Sequence, residues 1–144
     1  LSMAQLVIKT GEHEEAIAYY EKMRDLNNPV VLNNLAWLYQ QTGKLDSALE
    51  AAQGALNLAP GNGEILDTVG WILVEQGRSQ EALSFLEDAA IGMPGNPTVQ
   101  YHLGYAYVQV ERRESARRAL KQALRFDSFP ERELAESALN ALGS

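Results

Sequence analysis

Eight positions of this chain recur at a spacing of 34 residues, and a fixed period of that length restricts a chain to stacked copies of one small unit. Leu32, Leu35, Ala36, Tyr39, Gly43, Ala48, Ala55 and Pro60 return as Leu66, Val69, Gly70, Leu73, Gly77, Ala82, Ala89 and Pro94. They return again, less faithfully, as Gln100, Leu103, Gly104, Tyr107, Glu111, Ala116, Ala123 and Ser128. The period predicts three full units over 29–62, 63–96 and 97–130. Units of this size bury their apolar faces only by stacking on one another.

Within each unit the pattern predicts two amphipathic helices. Leu32, Leu35, Ala36 and Tyr39 sit at helical spacing, Gly43 supplies the left-handed residue that ends a helix, and a second helix runs through Ala48, Ala52 and Ala55. Asn28-Pro29 and Asn96-Pro97 mark helix starts, the asparagine as cap and the proline in the first turn, where its missing N–H costs nothing. Asp46 and Ser79 are the expected caps of second helices. Ala36, Gly70 and Gly104, with Ala48, Ala82 and Ala116, are small enough to let the two helices of a unit cross closely.

Three departures carry expectations of their own. Gly11, Ala16 and Tyr20 read as the second half of an incomplete repeat over 1–28, joined by a junction two residues shorter and with its opening helix cut near Leu1. Glu111 stands where glycine is expected; a left-handed glutamate costs about 1–2 kcal/mol, so this turn is expected to differ locally. After Phe129-Pro130, residues 131–144 read as a capping helix with Leu134, Ala138 and Leu142 on its apolar side. The helical pattern is already under way at Leu1, as in the interior of a longer chain.

Composition narrows the function. With 46% hydrophobic and 22% charged residues the chain is an ordinary globular one, and it holds no apolar run of the ~18 residues that a membrane span needs. The absence of cysteine excludes disulfides, thiolate metal sites and cysteine nucleophiles, and leaves the compartment open. A net charge of −7 argues against nucleic acid as partner. The acidity belongs to residues 1–77, which carry four basic and ten acidic side chains against eight and nine in 78–144. Arg112, Arg113, Arg117, Arg118, Lys121 and Arg125 form a basic run, read first as a solvated outer face and second as a dock for an acidic partner.

No catalytic or metal centre is expected. His13-Glu14-Glu15 opens like a zinc-binding helix motif, but its second histidine position is Ile17. Gly61-Asn62-Gly63 follows a helix and reads as an inter-repeat turn. Asp67, His102 and a nearby hydroxyl can be arranged on paper as acid, base and nucleophile, with no spacing to support them. No cofactor is implied.

Small and apolar residues with a closing proline every 34 residues resemble the tetratricopeptide repeat family over nearly the whole chain. The resemblance implies an all-α, right-handed superhelical solenoid of antiparallel helix pairs. It also implies that first helices line a concave groove for a protein or peptide ligand. The candidate groove residues are then Asn33, Asn34, Trp37, Gln40 and Gln41; Asp67, Thr68, Trp71 and Glu75; and Tyr101, His102, Tyr105 and Gln109. Val74 and Val108 complete the series. Trp37, Trp71 and Tyr105 are equivalent and form either an aromatic ladder for an extended peptide or part of the solenoid packing. Family members that clamp a C-terminal carboxylate do so with cations, whereas Val30, Asn33, Trp37, Thr68, Thr98 and His102 stand in those places here. Of a repeated groove asparagine only Asn34 is present, Thr68 and His102 breaking the series.

The phrases NNLAWLY, LDTVGWILVEQG and YHLGYAY are similar to the C-terminal repeats of bacterial tetratricopeptide lipoproteins of exosortase and exopolysaccharide systems. That narrower likeness implies a periplasmic or outer-membrane location, against a cytoplasmic one without it. The functional expectation is a protein-binding adaptor, with a structural spacer that self-associates through its terminal repeats as the alternative.

Overall fold

The computed structural model describes residues 10–143. These form α1 (Thr10–Lys22), α2 (Pro29–Gln41), α3 (Leu45–Leu58), α4 (Gly63–Glu75), α5 (Ser79–Gly92), α6 (Pro97–Gln109), α7 (Arg113–Ala123) and α8 (Arg132–Ala141), with one turn of 3-10 helix at Arg24–Leu26. No strand occurs among the described residues. Each helix packs on the next, and α2, α4 and α6 also touch in sequence, so the first helices of the three units form one continuous row. The expected opening helix near Leu1 lies outside the described residues. No helix among them is long and apolar enough to cross a membrane.

The core follows the period. Leu35, Val69 and Leu103 occupy one equivalent position and Leu38, Ile72 and Ala106 another; all are buried, most of them completely. Each fully buried leucine-sized side chain contributes roughly 1.5–3 kcal/mol, and the stack realises it because every hairpin covers its neighbour's apolar face. At the crossing within each hairpin the side chains are matched in size. A Cβ on Gly70 would come within 2.6 Å of the Leu86 side chain, and one on Gly104 within 2.8 Å of Leu120. In the first unit the equivalent positions are Ala36 and Ala52, both with no exposed surface. Glycine opposite leucine is thus replaced by alanine with alanine.

The turns within hairpins share one geometry. Gly43 and Gly77 are left-handed at φ 76° and 79°, and the following residue bonds back five positions, Lys44 N–H to Tyr39 C=O at 2.9 Å and Arg78 N–H to Leu73 C=O at 2.8 Å. The third turn does not differ locally, contrary to expectation. Glu111 adopts φ 62°, and Arg112 N–H reaches Tyr107 C=O at 2.9 Å. The packing of α6 on α7 outweighs the left-handed penalty of about 1–2 kcal/mol.

Two further expectations are corrected. Asp46 and Ser79 do not cap: α3 and α5 start one residue or more before a side chain there could act, with Lys44 and Arg78 in the cap positions and no side-chain cap bond. The left-handed turn feeds directly into the helix without the extended residue that a polar cap needs. Asp46 instead accepts from Gln76 of the next unit at 2.9 Å. Asn28 and Asn96 do cap, as does Asn62, whose side chain accepts from Ile65 N–H at 3.0 Å. Gly11 lies within α1. In α8 the buried side is Ala135, Ala138, Leu139 and Leu142, while Leu134 is 58% exposed; the 3-4 spacing of that set turns Leu134 outward.

Polar bonds tie the edges of the stack. Tyr39 donates its hydroxyl to Glu21 of the preceding helix, and Tyr107 donates to Glu87 at 2.5 Å. These are equivalent bonds, and the junction before α2, two residues shorter, preserves the first of them. Burial, and then the glutamate hydrogen bond, push both hydroxyls up to about 12. At the other end two arginines cap reciprocally. Arg113 at the start of α7 donates to Leu142 C=O after α8, and Arg132 at the start of α8 donates to Leu124 C=O at 3.2 Å and to Phe126 C=O. Each supplies a cation where carbonyls are left without helical partners.

Two outcomes follow from the packing and the edge bonds. Gly70→Ala lowers stability by about 1–3 kcal/mol in urea denaturation; in a Leu86→Ala background the same change raises it by up to about 1 kcal/mol, the helix propensity gain alone. The tyrosines make stability alkali-sensitive. The unfolded chain loses these protons near 10 and the folded chain near 12, so their contribution is complete below about pH 10 and is lost as pH rises through about 12. A Tyr39→Phe/Tyr107→Phe variant shows a flatter denaturation midpoint across that window.

Candidate functional site

The row of α2, α4 and α6 lines a groove of about 870 Å³, whose lining extends to Pro130 and Glu131 before α8. Repeat arithmetic explains the row, because residues one period apart on packed parallel helices fall in line. Of the candidate residues, Asn33, Asn34, Trp37, Gln40, Gln41, Asp67, Thr68, Trp71, Glu75 and His102 line this groove. Tyr101, Tyr105 and Gln109 do not. Tyr101 is buried to 6% exposure, and burial raises its hydroxyl pKa, with the neighbouring Tyr105 and Glu131 adding to the effect. Tyr105 is half-buried against the core, Gln109 is exposed at the end of α6, and Val74 is buried.

The equivalent aromatics do not make one uniform ladder. Trp71 stacks on His102 with ring centroids 4.0 Å apart and planes 17° off parallel, and it meets Tyr105 edge to face at 5.4 Å. Trp37 lies one period away and faces His13 at 5.9 Å. Both tryptophans are half-buried, packed on the core at one side and lining the groove at the other. The position therefore combines the two readings offered by the sequence.

His102 is held from two sides. Its Nδ1 lies 2.8 and 3.1 Å from the two carboxylate oxygens of Asp67, which can only accept, so Nδ1 donates and the ring is locked face-on to Trp71. The acid and base paired on paper do meet. The third member is missing: Thr68 donates to Glu64 C=O at 3.0 Å and Thr98 to Glu131 at 2.7 Å, so neither groove threonine donates to the imidazole. No group of three or more His, Cys, Asp or Glu that could hold a metal converges among the described residues.

Elsewhere the groove is edged by amides and carboxylates. Gln40 donates to Glu75 at 2.7 Å across adjacent units, and Asn34 donates to Tyr20 at 3.5 Å. Asn33 Oδ1 is buried without a hydrogen-bond partner among the described residues. The lining also includes residues absent from the candidate list, among them Glu64, Met93, Asn96 and Glu131. Glu64 was legible, since it shares the repeat position of Val30 and Thr98. Glu131 follows the last repeat, and no period points to it.

A family model described as tetratricopeptide repeat matches residues 1–127, and the chain belongs to that family. Among solved structures it is similar to MamA from Desulfovibrio magneticus RS-1, at 25% identity and a TM-score of 0.81 over 92% of this chain and 75% of that one. It is similar to the AMB-1 MamA at 25% identity and a TM-score of 0.80, over 92% and 78%. It is also similar to YrrB, described as a tetratricopeptide repeat protein with an unusual peptide-binding site, at 26% identity and a TM-score of 0.77 over 89% and 66%. No curated protein sequence matches. The family and these likenesses establish the all-α repeat solenoid.

The stacked pair is testable by quenching. In a Trp37→Phe background, where Trp71 is the remaining tryptophan, His102→Ala uncovers one face of the indole. The expected result is a higher acrylamide quenching constant with helical content unchanged.

Proposed function

We propose that this chain is a protein-binding scaffold that holds an extended protein or peptide segment along α2, α4 and α6. The repeats 29–62 and 63–96 each contribute one aromatic rung, 97–130 contributes His102 behind Trp71, and 131–144 closes the end. The observation that carries this reading is the pair Trp37 and Trp71, anchored in the core on one side and facing the same groove on the other. Rings held rigid by packing give a ligand apolar contact at low entropic cost, and such anchors dominate the binding energy of protein interfaces.

The amides support the same reading. Asn33, Asn34, Gln40 and Gln41 line the groove around Trp37, and side-chain amides can accept from and donate to the main chain of an extended segment. The likeness to YrrB, with its described peptide-binding site, is consistent with a ligand of that kind. What the described groove offers is a set of recognition groups, indoles, amides and carboxylates.

The test is capture from an extract of the source organism by the wild type and by Trp37→Ala/Trp71→Ala, the variant first shown to retain its helical content. Each removed anchor costs about 2 kcal/mol or more of binding, so proteins held by the wild type are lost from the variant. Equal capture by both proteins would move the site out of the groove.

A further inference from the structure

Every unmet demand in the groove is for hydrogen-bond donors and positive charge. Four carboxylates line it, Glu64, Asp67, Glu75 and Glu131, and among the described residues no lysine or arginine does. None of the four forms an ion pair with a lysine or arginine among the described residues; Asp67 has His102 alone. Glu75 and Glu131 accept from neutral donors, Gln40 and Thr98, at 2.7 Å each. These bonds orient the carboxylates and leave their charge uncompensated. Six glutamates outside the groove, Glu14, Glu21, Glu50, Glu81, Glu114 and Glu136, do have lysine or arginine within 4 Å. Beside the acids, Asn33 holds a buried acceptor oxygen with no donor among the described residues.

We propose that the ligand of this groove is a cationic extended peptide, its arginine or lysine side chains lying between the tryptophan faces and the carboxylates. The proposal rests on the reading of the groove as a peptide site and names the chemistry of its occupant. A guanidinium matches the lining group by group. It is planar and packs on the indole surface that lines the groove, the face of Trp71 covered by His102 excepted, its fork of N–H donors pairs with a carboxylate, and it carries no acceptor to oppose the acidic wall. An acidic or phosphorylated segment meets like charge throughout.

Half of the basic run around α7 is a poorer fit as the groove's occupant from a second copy; of the other half, Arg118, Lys121 and Arg125, none holds a carboxylate among the described residues. Arg113 is bonded to Leu142 C=O, Arg117 to Glu114 at 2.7 Å, and Arg112 lies over the Tyr107 ring. Those cations would have to leave their own partners to enter another molecule's groove.

The experiment selects linear peptides from a random phage-displayed library on the full chain, and repeats the selection on Trp37→Ala/Trp71→Ala and on Glu64→Gln/Glu75→Gln. An arginine-serine repeat peptide, with its glutamine-serine counterpart as control, is then titrated by tryptophan fluorescence. The expected result is enrichment of arginine and lysine, binding of the arginine-serine peptide and not of the control, and about tenfold weaker binding to Glu64→Gln/Glu75→Gln. Added salt should weaken the wild type more than that variant.

Selected peptides without basic residues, captured in a tryptophan-dependent manner, would overturn the cationic ligand and leave the groove as a peptide site. Peptides whose capture survives both variants, or no capture at all, would count against both readings. Concentration-dependent self-association abolished by Arg118→Glu/Lys121→Glu would assign the groove to a second copy and overturn the peptide.

Discussion

The close crossing of the two helices in each hairpin is the constraint on which the rest of the structure depends. Gly70 admits Leu86 and Gly104 admits Leu120 at distances that a Cβ would forbid, and the first unit reaches the same crossing with Ala36 and Ala52. Helices packed this closely have little freedom of angle or register, because interiors are as dense as organic crystals. Three hairpins of one shape then stack by one operation, and the same face of α2, α4 and α6 is brought into line. The groove is a consequence of that repetition.

Stacking leaves exposed edges, and the charged residues of this chain serve them. Tyrosine–glutamate bonds join α1 to α2 and α5 to α6, while the arginines of α7 and α8 close each other's carbonyl ends. The basic run on α7 is thus partly structural, two of its residues being tied to α8 and to Glu114. The concave side has no equivalent compensation. Three of its carboxylates are oriented by an amide, a threonine and a histidine, Glu75 by Gln40, Glu131 by Thr98 and Asp67 by His102, and none of them by a lysine or arginine among the described residues.

Much of this was legible before any coordinates. The helices Pro29–Gln41 and Pro97–Gln109 begin at the asparagine–proline pairs that mark them, and the left-handed turns fall at Gly43 and Gly77. Errors arose where a local signal competed with packing. Asp46 and Ser79 are good caps in isolation, but the turn before them leaves no extended residue for capping. Glu111 is a poor left-handed residue, yet the stack imposes the turn. Leu134 fits an apolar stripe with Ala138 and Leu142, but the face of α8 that meets α7 contains Ala135 and Leu139.

By itself the sequence determined the repeat, the helix pairs and the row from which a groove would be built, because a period of 34 residues acts through local geometry that each unit carries within it. The tertiary structure decided which members of that row face one another. It buried Tyr101, set Trp71 on His102, joined His102 to Asp67 and brought Glu131 into the lining. Those contacts run between units or from beyond the last repeat. They depend on the rotation of each helix against its neighbour, a quantity that only the packing of side chains fixes.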